Sequence, residues 1–259
     1  MLTANLMGGL GNLLFQIANV VSLAIDNDWE YGFNLDQPIQ CRTHYYDRVN
    51  VYKDTIFWKV PHANVSACVN EYKEPYFHFK KINCSNNSIL TGYFQSDKYF
   101  KHNELFIKNL FELPSETNEY ITSKYGNLFT EETIGIHVRR GDYLETPQFH
   151  LPLTPEYYFK GLDLFPKNTK KIIVSDDVPW CKSVFGDSAV YIEGEKDFID
   201  MNILSRCSHN IIANSSFSWW GAYLNKNKDK KVVFPATWFG PANRDRNISD
   251  LYWETSIKL

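Results

Sequence analysis

A histidine, two arginines and an aspartate fall close together at His137, Arg139, Arg140 and Asp142. A guanidinium is a planar, permanently charged fork, and its parallel N–H groups match the oxygens of a phosphate. A carboxylate beside it can accept a proton from a reacting hydroxyl. Together they suit the capture of a phosphate-bearing small molecule. The same residues also suit a buried Arg–Asp pair that ties a loop down, and a motif this short does not separate the two. Two further polar clusters carry similar chemistry. Ser175, Asp176 and Asp177 form one, and Asn214, Ser215 and Ser216, followed by Phe217 and Ser218, form the other. A carboxylate at Asp176 or Asp177 can accept paired hydrogen bonds from the N1–H and exocyclic amine of guanine, a pair that adenine does not offer. Ser215 and Ser216, with the free N–H groups of a following helix, can take a phosphate. The plainer role for these residues is to cap the helices that follow them.

The elements around these clusters put them in one place. Ile134, Ile136 and Val138 alternate with Gly135, His137 and Arg139, the period of a strand, and Gly141 marks a turn after it. Further strands are expected at 171–174, 189–192, 210–213 and 232–234. Helices are expected at 155–165, 177–185, 197–207 and from 219 to 224. Thr154 is an N-cap ahead of Pro155 and the acidic Glu156. The charge run 226–231 reads as a solvated loop, and Trp219-Trp220 as core. Such alternation predicts an α/β protein with a parallel sheet and helices on both faces. Open sheets of that kind bind ligands at the carboxyl ends of their strands. All three polar clusters follow strands, so the fold would gather them on one edge.

The beginning of the chain offers a second anion site. An apolar run at 2–7 reads as a strand, and Gly8-Gly9-Leu10-Gly11-Asn12 as a tight turn. Leu13, Leu14, Ile17, Ala18, Val21 and Ala24 then recur at helical spacing. The glycines allow close approach to the backbone, and the helix start favours a phosphate. The spacing is not G-x-G-x-x-G, no P-loop Lys follows, and a bare βα turn would read the same way. Asp26-Asn27-Asp28 could pass for a metal-holding Asp-x-Asp, but it falls at the end of this helix, and no metal is assigned. Between 31 and 128 a strand at 89–94, an amphipathic helix at 98–111 ended by Pro114, and a helix at 115–125 stand out. The aromatic stretches 43–52 and 68–79 show no clean period. A break at Gly126-Asn127 divides the chain into 1–128 and 129–240. A final segment, 241–259, is anchored back on the body by Trp253 and Ile257.

Composition narrows the function. Lys plus Arg is 27 against 30 Asp plus Glu, a net charge of -3 that argues against a nucleic-acid or anionic-membrane binder. Any bound phosphate must be held by a local cluster. Cys41, Cys68, Cys84, Cys181 and Cys207 are scattered and show no C-x-x-C pairing, as reduced thiols would be. No leader is recognised, and no run reaches the ~18 apolar residues of a membrane helix. The expectation is a soluble, cytoplasmic protein. Oligomeric state is not readable.

The ordered motifs Gly8-Gly9-Leu10-Gly11-Asn12 with Phe15-Gln16, His137 to Tyr143, Ser175-Asp176-Asp177, and Asn214 to Ala222 resemble those of the α-1,2-fucosyltransferases, glycosyltransferase family 11. The resemblance implies two Rossmann-like domains in a B-type glycosyltransferase fold (GT-B). It implies GDP-fucose as donor, a terminal galactose-type glycan as acceptor, inversion at the anomeric carbon, and no metal or other cofactor. It also implies that Arg139 sits on the diphosphate and that the 8–12 loop closes over it. By analogy with the α-1,6-fucosyltransferases, which share the His-x-Arg-Arg strand, His137 would touch the nucleotide and Asp177, more than Asp176, the guanine. Arg139 is then the expected catalytic cation and Asp142 the leading base, with Glu145 and His150 behind it. Asn214, Ser215, Ser216 and Phe217 complete the donor-binding set. Leu13 and Leu14 depart from the family's Gln-Met without disturbing the turn. Residues 40–100, where acceptor choice would be expected, match no pattern. The competing readings are another linkage or GDP-sugar, and a non-catalytic nucleotide- or sugar-binding module.

Overall fold

The structure, a computed structural model, describes residues 1–38 and 49–259. Cys41 and residues 43–48 of the first aromatic stretch lie outside the described residues. The chain forms two compact units, residues 1–118 with 246–251, and residues 119–245 with 252–259.

The first unit is built on a parallel sheet of β1 (Leu2–Ala4), β2 (Asn70–Lys73) and β3 (Ser88–Thr91), in the order β1-β3-β2. Single parallel bridges, Leu2 with Tyr31 and Phe33 with His62, widen it. Helix α1 (Leu10–Asn27) follows the glycine turn. Leu13, Leu14, Phe15, Ile17, Val20 and Val21 are fully buried, and so are Gln16, Asn19 and Ser22, so the helix is enclosed on all sides. Gln16 is satisfied by the backbone of Met7, accepting its N–H at 2.9 Å and donating to its carbonyl at 2.8 Å. This bond pair fixes the chain just ahead of the glycines. The helix ends on Asp28, which is left-handed with φ 53°. Asp26 is taken up by His102 at 2.7 Å and Asn103 at 3.0 Å.

The expected helix at 98–111 is shorter. Two single 3-10 turns precede α2 (Glu104–Leu110), because Phe100 leaves the helical region with φ -142°. Strand β2 carries no alternating apolar pattern. Its residues are mostly exposed, and only its pairing with β3 identifies it.

The division between the units falls inside α3 (Ser115–Tyr125), ahead of the Gly126-Asn127 break. The cause is local. Tyr120 and Tyr125 donate to Glu195 Oε1 at 2.8 and 2.7 Å, and Lys124 adds a salt bridge, so the second half of α3 is tied into the second unit.

The second unit runs β4 (Thr133–Val138), α4 (Gly141–Glu145), α5 (Pro155–Leu162), β5 (Lys170–Ser175), α6 (Val178–Phe185), β6 (Ala189–Tyr191), α7 (Asp197–Arg206), β7 (His209–Ile211), α8 (Ser216–Leu224), β8 (Val232–Phe234) and β9 (Ile257–Lys258). All six strands are parallel, in the order β6-β5-β4-β7-β8-β9. The chain therefore builds outward from β4 on one side, then returns to build outward on the other. The switch point lies between β4 and β7, the place where sheets of this order bind ligands. Every residue of β4 is buried. Gly135 within it has a packing reason: a Cβ there would lie 2.9 Å from Cys207 Sγ and 3.0 Å from Asn210 Nδ2. Ile134, Ile136, Ile173, Ile211 and Val233 form the sheet's core with Tyr157, Tyr158 and Phe185. Trp219 and Trp220 are fully buried in α8, as expected of core.

The last segment is divided. Asp250 accepts from the Phe79 N–H at 2.6 Å and pairs with Lys98 at 2.5 Å in the first unit. Trp253 packs on Trp219 and Phe234, each at 5.1 Å, in the second unit, where β9 is the edge strand. Among the described residues, no helix is long and apolar enough to cross a membrane.

Candidate active site

Strand register sets the site. Val138 pairs with Ser175, so the residues that leave β4 meet those that leave β5. Arg139 Nη1 lies 3.2 Å from Asp176 Oδ2, and Arg139 Nη2 donates to Asp142 Oδ1 at 2.6 Å. Arg140 donates from its backbone N–H to Asp176 Oδ1 at 2.9 Å and from Nε to Asp177 Oδ2 at 3.0 Å. Its guanidinium lies 4.1 Å from the Trp180 ring centroid, a flat contact that suits Arg better than Lys. Asp177 Oδ1 accepts the Trp180 N–H at 3.2 Å and caps α6. Gly141 leaves the room this requires, since a Cβ there would sit 2.7 Å from Asp176 Oδ2.

The cluster thus sets two guanidinium groups against three carboxylates. Burial works against the charge on Arg139, but Asp176 and then Asp142 outweigh it and raise its pKa. Both arms of the Arg139 fork already hold a carboxylate. A phosphate that takes both arms of the fork competes with these carboxylates for the Arg139 N–H groups. The Asp142 side chain is 27% exposed and Asp176 13%, and Asp176 is also held by Arg140. Of the two, Asp142, on the short α4, is the more exposed and lacks the second arginine contact.

His137 is buried at the end of β4, 5.0 Å from the Phe217 ring, and its Nδ1 has no hydrogen-bond partner. Burial, then the charge of Arg139, pushes its pKa down to about 3. The imidazole is neutral at any ordinary pH and adds no positive charge to the site. Ser215 Oγ accepts the Phe217 N–H at 3.3 Å and caps α8, while Ser216 and Phe217 are half-buried in its first turn. Asn214 is a brace: Nδ2 donates to the carbonyls of Leu151 and Trp238, both at 2.9 Å. Tyr143 Oη donates to the Asn214 carbonyl at 2.9 Å and so joins the loop after β4 to the loop after β7.

One carboxylate went unnoticed in the sequence. Asp200 lies in the first turn of α7, which packs against β4 and α8. Phe198, Ile199, Met201, Ile203 and Leu204 around it are buried. Its Oδ1 is buried without a hydrogen-bond partner. Burial, then Asp197 and Glu195, pushes its pKa up to about 7. The available signal was an acid set inside an otherwise apolar helix stretch.

In the first unit, Gly9 is the cap position of α1 and provides no side-chain bond to the first turn. Gly8 is left-handed with φ 83°, and a side chain there would collide with Asn12. Asn12 is held by Gln95, whose Nε2 donates to Asn12 Oδ1 at 2.7 Å. Leu10 and Gly11 open the helix and are buried.

Two parallel-sheet units, the second in full Rossmann order with its charged cluster at the switch point, define a B-type glycosyltransferase fold. The crystal structure of the NodZ α-1,6-fucosyltransferase soaked with GDP-fucose shares that fold, with a TM-score of 0.54 at 16% identity over 86% of this chain and 92% of that one. The family model described as Glycosyl transferase family 11 matches residues 52–249, and the chain belongs to that family. It is therefore a glycosyltransferase. Among its relatives, the O-antigen biosynthesis glycosyltransferase WbnK of Escherichia coli is 30% identical over 95% of this chain and 97% of its own length. An α-1,2-colitosyltransferase of Escherichia coli is 27% identical over 91% of each.

Proposed function

We propose that this enzyme transfers fucose from GDP-fucose to a hydroxyl of a terminal galactose, forming an α-1,2 linkage with inversion and without a metal ion. The observation that carries the reading is the Arg139 fork at the switch point between β4 and β7. Cleavage of the bond between fucose C1 and the phosphate oxygen leaves charge on GDP. A guanidinium fixed in advance beside that oxygen stabilises the charge as it develops. Arg139 supplies it, while Arg140, pinned by Asp177 and Trp180, holds Asp176 behind the fork. The diphosphate takes the arm that Asp142 occupies in the free protein. Asp142, released into the same loop, accepts the proton of the galactose hydroxyl as that oxygen bonds to C1 from the opposite face.

Ser215, Ser216, Phe217 and the first-turn amides of α8 belong to the nucleotide on this reading, with Asn214 bracing them and His137 offering a neutral ring. Gly8, Gly9, Leu10, Gly11 and Asn12 stay in the donor-binding set on the family resemblance and the uncapped start of α1. We assign guanine to Asp200 ahead of Asp176 and Asp177. Both of those acids already hold arginines, whereas Asp200 has a buried oxygen with no hydrogen-bond partner. The free thiols of Cys68, Cys84, Cys181 and Cys207 fit work in a reducing, cytoplasmic compartment.

Incubation with GDP-fucose and a panel of galactosides, with and without EDTA, followed by linkage analysis, tests the whole reading. Arg139→Ala is expected to lower turnover by roughly 100-fold or more. Wild-type rates in that variant would remove Arg139 from the role. The colitosyltransferase relative favours one second reading, a GDP-colitose donor. Including that sugar nucleotide in the donor panel decides it.

A further inference from the structure

The loop that follows the site strand holds apolar side chains in solvent on a backbone tied down along its length. Leu144 is 49% exposed, Phe149 40% and Leu151 36%. Phe149 and His150 both donate their N–H groups to the Thr146 carbonyl, at 2.9 and 3.1 Å. Thr146 Oγ1 donates to the Asp142 carbonyl at 3.0 Å. From the other side, Gly240 N–H donates to the Phe149 carbonyl at 2.9 Å and Ala242 N–H to the Gln148 carbonyl at 2.8 Å. Gly240 has no room for a side chain, because a Cβ there would collide with the Pro147 carbonyl. Asn214 joins both segments through Leu151 and Trp238. Exposed apolar groups on a loop pinned in this way are presented, since a slack loop would fold them inward.

The loop also begins at the reacting centre. The Arg139 guanidinium lies 5.7 Å from the Tyr143 ring, and Tyr143 stacks on His150 at 4.7 Å and 15°. His150 in turn lies 6.5 Å from Phe239. A line of rings thus runs outward from the group assigned to the donor phosphate, with Phe149 next to it in the chain. A galactose ring has one face made of C–H groups and an edge of hydroxyls. Its C–H face lies against an aromatic ring, and its hydroxyls need polar groups at the rim. Phe149 offers an exposed ring, and the exposed Gln148 next to it in the chain offers a polar group.

We infer that Phe149 and its pinned loop form an acceptor subsite, on which the terminal sugar of the glycan lies with its C–H face on the Phe149 ring. This places part of acceptor choice in the second unit, outside 40–100. The identity of the sugar rests on the proposed galactoside acceptor.

The test uses the full chain and two variants, Phe149→Ala and Phe149→Trp. Methyl galactoside is the probe, observed by saturation-transfer NMR with GDP present, and GDP affinity is measured by calorimetry. Phe149→Ala should raise the acceptor KM roughly tenfold with kcat nearly unchanged. It should also abolish saturation of the galactose C–H face, while GDP affinity stays at the wild-type value. Phe149→Trp should retain both acceptor signals. An unchanged KM and an unchanged NMR epitope in Phe149→Ala would overturn the subsite, as would loss of GDP affinity in a folded variant. If the wild type consumes no GDP-fucose, the proposed reaction fails, and the NMR comparison still decides the subsite.

Discussion

Asp142 and Arg139 hold each other at 2.6 Å in the free protein, and the proposed reaction needs each of them elsewhere during transfer. Removing the charge of Asp142 frees one arm of the fork, so Asp142→Asn should bind GDP more tightly than the wild type. On the proposed mechanism the same variant lacks the proton acceptor and should transfer fucose slowly. Calorimetry with GDP and a turnover assay read the two effects separately, and full transfer activity would exclude Asp142 as base. Asp200 makes a different prediction. Burial holds its pKa at about 7 when folded, against an ordinary 3.8 for the unfolded chain. Between those values the folded protein keeps a proton that the unfolded chain has lost. The stability this contributes is full below about pH 3.8 and is lost as pH rises through about 7. Asp200→Asn should therefore melt higher than the wild type at pH 8, with the difference narrowing as pH falls and closing only below about pH 3.8, and should bind GDP more weakly. A difference in melting that does not change with pH would mean Asp200 is not titrating there. His137, Arg139, Asp142, Asp176 and Asp177 were all readable in the sequence as chemistry-bearing residues. An Arg–Asp pair within the motif was readable too, but the partners Asp176 and Asp177 were not, because only the pairing of β4 with β5 brings them near.

At the scale of elements, the second unit was largely legible. Alternation at 134–139 gave β4, and Thr154-Pro155 opened α5. Asp177 and Ser215 turned out to cap α6 and α8, as their position before a helix suggested. The short α4 begins at a Gly141 that reads only as a turn, since five residues carry too little periodicity to reveal a helix. Strand β2 was missed because its exposed residues have no apolar period, and its identity comes from the neighbouring β3. Gly135 shows what a pattern leaves out. In the sequence it is a weak strand residue, but in the fold it makes room for Cys207 and Asn210. Gly135→Ala should destabilise the protein by about 1–3 kcal/mol through overpacking. Urea unfolding measures this, and an unchanged midpoint would mean that α7 and β7 yield without strain.

At the scale of the whole molecule, the chain closes on itself through its tail. Residues 246–251 belong to the first unit, and 252–259 return to the second. Trp253 enters the ring cluster of Trp219, Tyr223 and Phe234 just before β9 joins the sheet. Trp253→Ala should lower stability by about 3 kcal/mol. Chemical denaturation followed by tryptophan fluorescence would show this. A loss below about 1 kcal/mol would mean that the tail is only loosely docked.

What the sequence alone determined is what local chemistry and periodicity fix: a βα alternation, a parallel sheet, three polar clusters at strand ends, and a glycine turn at a helix start. Each depends on residues close together in the chain. The tertiary structure decided which strands are neighbours, and so which charges meet. The order β6-β5-β4-β7-β8-β9 puts the switch point beside Arg139, brings Asp176 to its fork, and leaves an Asp200 oxygen buried without a partner. Those outcomes follow from pairing and burial between distant segments, which no local pattern encodes.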